Sequence, residues 1–135
     1  MSADATEGDL AHRIAEIEEA YEFMLGYAAQ GHQRGREGDH IRDFLKRLDA
    51  ALDGIAAAAV TAAASAKGAE QETVRAFVAT LEEDAHKARA GLALALMQRA
   101  IGSQLVDNLN ASIHLRALLT DLFVVDEALK PPKKS

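Results

Sequence analysis

The sequence predicts an all-α protein: an antiparallel, up-down four-helix bundle formed by one domain. Three observations carry that expectation. Alanine is the commonest residue, at 29 of 135, while aromatics make up 4% and the only two prolines are adjacent near the C-terminus. This composition favours helix over sheet. Apolar residues recur at alternating steps of three and four, the period of a helix face. Finally, glycine-containing breaks divide the chain into segments of similar length.

Residues 1–5 read as a disordered N-terminus and Thr6-Glu7-Gly8-Asp9 as a helix start, with acidic residues where the helix dipole favours them. Leu10, Ile14, Ile17, Tyr21, Met24 and Ala28 then form a heptad-like, coiled-coil seam, and Gly31 is a suitable stop. Phe23 and Tyr27 lie off this seam, one turn apart on the side facing away from the core, where they either form an interface or lie under the following loop. Gln30 to Asp39 reads as a mildly basic loop. Its three glycines do not make a phosphate cradle, because they follow a helix and no Gly-Lys-Ser/Thr ending is present.

Asp39 is the expected N-cap of the second helix, whose stripe is Ile41, Leu45, Leu48, Leu52, Ile55, Ala59 and Ala62, closed by Lys67-Gly68. Its first half carries large core residues and its second half is almost all alanine. The third segment, from Thr73, has the complementary order: Val74, Phe77, Val78 and Leu81 precede Ala85, Ala88 and Ala95. Large against small at each level predicts that these two segments form an antiparallel hairpin.

From Leu94 onward a second apolar row appears, Leu94, Met97, Ile101 and Leu105, on the side opposite the first. A break at Gly102, with Ser103 capping a new helix, explains it; a break between Asn108 and Ser112 is the other candidate. The alternative architecture keeps residues 70–129 nearly continuous, as a long-helix dimer. Leu115, Leu118, Leu122, Val125 and Leu129 define the last stripe. Lys130-Pro131-Pro132 ends it, and 131–135 read as a disordered basic tail after a single domain over 6–130.

A net charge of −6 disfavours nucleic acid or an anionic membrane as partner. With no cysteine, the chain has no disulfide, thiolate nucleophile or thiolate metal site. Its N-terminus lacks the features of a secretory signal, and its longest uncharged run, from Gly54 to Ala66, is short of the ~20 residues needed to span a bilayer. A cytoplasmic location is expected.

Two Glu-x-x-His pairs, Glu37 with His40 and Glu83 with His86, have the spacing of di-metal bundles. Carboxylates and imidazoles bind metal only when they converge at one level. The helix register instead places the first pair about four turns above the second, so no cofactor is expected. His114 lies near a core edge, where Tyr21 and Asp49 could share its level, and is expected to be hydrogen-bonded there rather than a haem ligand. Arg99 falls on the core line near a helix end and is expected to snorkel past it to water.

The expected function is protein–protein interaction: an adaptor, assembly chaperone or accessory subunit that associates with itself, as a homodimer or higher, and/or with a partner protein. Phe23, Tyr27, Leu94, Met97, Ile101 and Leu105 are the expected interface. Burying the four aliphatic residues would contribute on the order of 6–10 kcal/mol gross, at ~1.5–3 each. A ferritin-like metal-binding or oxidase bundle is the alternative.

Overall fold

A computed structural model describes residues 3–30, 37–65 and 70–129. Among them the chain is all-helical, with six helices: α1 (Ala3–Ala29), α2 (Glu37–Leu52), α3 (Ile55–Ser65), α4 (Gln71–Leu96), α5 (Ser103–Ala111) and α6 (Ile113–Leu129). The four expected helices thus become six. α1 begins before the expected Thr6 start, and α2 begins before Asp39. The expected stops at Gly31 and Lys67-Gly68 and the basic tail lie outside the described residues.

The second expected helix is broken at Asp53-Gly54, and Gly54 takes φ +83°. That conformation is easy for glycine and costly for any residue with a Cβ. Both residues are exposed, and Leu52 and Ile55 on either side are buried. The break therefore sits on the wet side and leaves the apolar stripe in phase, which is why the periodicity reads straight through it.

Both candidate breaks in the second half of the chain occur. α4 ends at Leu96, an irregular stretch runs to Gly102, and α5 and α6 meet at Ser112. The long-helix arrangement of 70–129 is therefore not adopted. The expected role of Ser103 as a cap is not met either: Gly102 holds the N-cap position, and Ser103 Oγ donates across to Tyr27 O at 3.0 Å.

The α2–α3 segment runs antiparallel to α4, as large-against-small pairing predicts. Arg42 meets the end of α4, Asp49 meets Arg89, and Gln71 meets Ala63. α1 is antiparallel to the same segment, with Phe23 against Phe44 and Glu16 against Arg47. It also packs on α5, where Asn110 Nδ2 donates to Met24 O at 3.2 Å. α6 lies along α4. The core between them holds Ile17, Met24, Leu45, Leu48, Leu81, Leu92, Leu118 and Leu122.

Gly54→Ala places a Cβ on a left-handed backbone. An expected loss of about 1–2 kcal/mol, read as a lower midpoint in urea unfolding with unchanged slope, checks the role of the break.

Candidate interaction surface

The expected interface residues divide into two groups. Leu94 and Met97 are 59% and 71% exposed. Ile101 is 2% exposed and belongs to the core, and Leu105 packs against that core half-buried. The helix ends at Leu96, so Ile101 no longer continues the phase of Leu94. It turns inward as the plug of the α4–α5 connection.

Phe23 and Tyr27 do not face away from the core. Tyr27 is 4% exposed and its hydroxyl donates to Ile101 O. Phe23 is half-buried and stacked on Phe44, with ring centroids 4.1 Å apart and planes 11° apart. Arg47 closes the stack, its Cζ 4.7 Å from the Phe44 centroid, and its guanidinium donates to Glu16 at 2.8 and 3.0 Å. Tyr27 ties α1 to the α4–α5 connection, and the Phe23–Phe44 stack welds α1 to α2. A heptad seam on one helix could not reveal that, because the second helix supplies the partner.

Further apolar side chains are exposed that the sequence reading did not single out: Leu25 on α1, and Ile113, Phe123 and Val124 on α6. The signal was present in α6, where Ile113, Ala117, Thr120 and Val124 repeat the 4-3-4 spacing on the side opposite the core stripe.

The metal candidates do not converge. His40 lies just before Arg42, which reaches the end of α4, whereas His86 lines a cleft of about 360 Å³ lower down, with Gly54, Ala57, Glu82 and Arg89. Glu83 pairs with Lys87 at 3.0 Å on the outer face of α4. The side chain of Glu37 is outside the described residues. Among the described residues no three His, Asp or Glu side chains form a group able to hold a metal ion. His114 and Arg99 are exposed. In the cleft, the Arg89 guanidinium is engaged by Asp49 at 2.8 Å and Asp53 at 3.4 Å, and these contacts hold it more firmly protonated.

Among the described residues, one carboxyl is buried between helices. Asp121 of α6 is 9% exposed and approaches Asp84 of α4; its Oδ2 receives no hydrogen bond from any described donor. Burial, then the hydrogen bond with Asp84 and that residue's charge, push the Asp121 carboxyl up to about 7. Protonation of one carboxyl relieves the repulsion that two charged groups would place on this α4–α6 contact.

No protein-family model matches the chain, and neither do the curated proteins or solved structures with which it was compared. The fold and surface define an all-helical protein with apolar side chains exposed at the end of α4 and along α6. No described helix is long and apolar enough to cross a membrane.

The sign of the Asp121 effect follows from linkage. Its folded-state pKa lies above the ordinary carboxyl value, so the stability it contributes is complete below about pH 4 and is lost as pH rises through 7. From pH 5 to pH 8 the expected loss is about 2–3 kcal/mol, and Asp121→Asn abolishes that difference. Urea unfolding of both proteins at the two pH values measures it; equal slopes with pH would refute this protonation.

Proposed function

We propose that this protein acts through protein–protein interaction, as an adaptor, assembly chaperone or accessory subunit, and that it associates with copies of itself. The observation that carries the reading is the exposure of Leu94 and Met97, two large apolar side chains three residues apart at the end of α4. In this reading α1, α2–α3, α4 and α5–α6 are the four legs of an up-down bundle, and the apolar groups left outside it are its working surface.

The energetics set how large that surface must be. Leu94 and Met97 together contribute on the order of 3–6 kcal/mol gross when buried. Association costs about as much or more in lost translational and rotational freedom. These two residues are therefore a rim or an extension of a larger interface. Gly91 of α4 lies against Leu109 of α5, so the neighbouring exposed surface is that of the α5–α6 junction, where Ile113 stands out at 73%.

Light scattering coupled to size-exclusion chromatography tests the proposal. The wild-type chain is expected at a multiple of its 14.4 kDa mass, and Leu94→Glu with Met97→Glu at a lower mass and unchanged helix content. Ile101→Glu is expected to unfold the protein, because it buries a charge in the core. A wild-type monomer at ~100 µM, well above a micromolar dissociation constant, would remove the self-association reading.

A further inference from the structure

We infer that the outer face of α6 is a two-fold interface, on which a second copy of this chain lays its own α6 antiparallel. The inference rests on the self-association reading above and gives it a specific geometry.

Helical spacing places Ile113, Ala117, Thr120, Val124 and Ala128 within an arc of about 80°, opposite the buried Leu115, Leu118, Leu122 and Val125. None of the five carries a charge. All are at least partly exposed, Ile113 at 73% and Val124 at 47%. A helix that needed only to meet water would carry charge there.

Two features identify the occupant as a second copy. The first is size. In an antiparallel pair centred between residues 120 and 121, Val124 of each copy faces Ala117 of the other and Ile113 faces Ala128. Large meets small at these levels, as interdigitating helices require. The second is charge along one flank. Arg116 and Glu127 lie on the same side of the stripe, near its opposite ends, with Phe123 between them, 52% exposed. A two-fold axis across the helices returns each flank to itself, reversed end for end, so the basic end meets the acidic end of the copy. A parallel pairing would instead set this flank against the opposite one, which carries His114, so that Arg116 would not meet Glu127 of the copy.

The absence of cysteine makes the geometry directly testable. Thr120 is exposed beside the proposed axis, so Thr120→Cys brings the two thiols together across the interface. Residue 113 and its own copy would be separated by about 15 residues of rise, ~22 Å. Under mild oxidation, T120C is expected to form disulfide-linked dimer at least about tenfold faster than I113C or the surface control A15C, through effective concentration. Val124→Glu is expected to give a helical monomer. Equal rates for T120C and A15C in a protein that scatters as a dimer would overturn this geometry while leaving self-association intact. Cross-linking of I113C as fast as T120C would also overturn it. A wild-type monomer would remove both readings.

Discussion

Carbonyl groups at the C-terminal ends of α1 to α4 are satisfied from outside those helices, and much of the structure depends on this. The last turn of a helix leaves four C=O groups without an internal partner. No described helix here has a basic residue in its last turn to cover them. Instead Arg13 of α1 donates to Ala51 O and Asp53 O at the end of α2, and Arg42 of α2 donates to Leu96 O and Gln98 O at the end of α4, both at 2.7 Å. Ser103 of α5 serves Tyr27 O at the end of α1, and Gln71 of α4 serves Ala63 O at the end of α3. A charged donor of this kind contributes about 1.5–3 kcal/mol, and a neutral one about 1. The C-terminal ends of α1, α2, α3 and α4 are therefore complete only when another helix is in place, which couples secondary to tertiary structure.

This dependence separates what is legible in the sequence from what is not. The core stripes of α1, α2, α4 and α6 are legible, because burial of an apolar face imposes its own period. Ile14, Ile17, Leu45, Leu48, Leu81 and Leu118 all lie where that period puts them. The antiparallel pairing of α2–α3 with α4 is legible too, since alanines on one side call for large residues on the other. Helix ends are less so. Arg13 and Arg42 sit off the core lines and act on carbonyls 38 to 56 residues away, at distances no local pattern encodes. Gly54 was visible as a glycine, but its effect was hidden by a stripe that continues in phase across it.

The surface shows a similar division. Leu94 and Met97 stand out in the sequence as apolar residues on the wrong side of a helix, and they are exposed. Ile101 follows them at helical spacing yet is internal, because the helix ends five residues earlier and the connection turns inward. Tyr27 looked surplus to its seam, but the α4–α5 connection provides an acceptor for its hydroxyl at Ile101 O. The outer stripe of α6 was equally readable from spacing and was masked by the stronger inner stripe of leucines.

The formal net charge of −6 counts every carboxyl as ionised. With the Asp121 carboxyl pushed up to about 7, the folded chain holds a proton there near neutral pH more readily than the unfolded chain does. Through this residue, folding at neutral pH is linked to proton uptake. Its share in refolding in a weakly buffered solution draws that solution toward base, and the folded chain is less acidic than the composition implies.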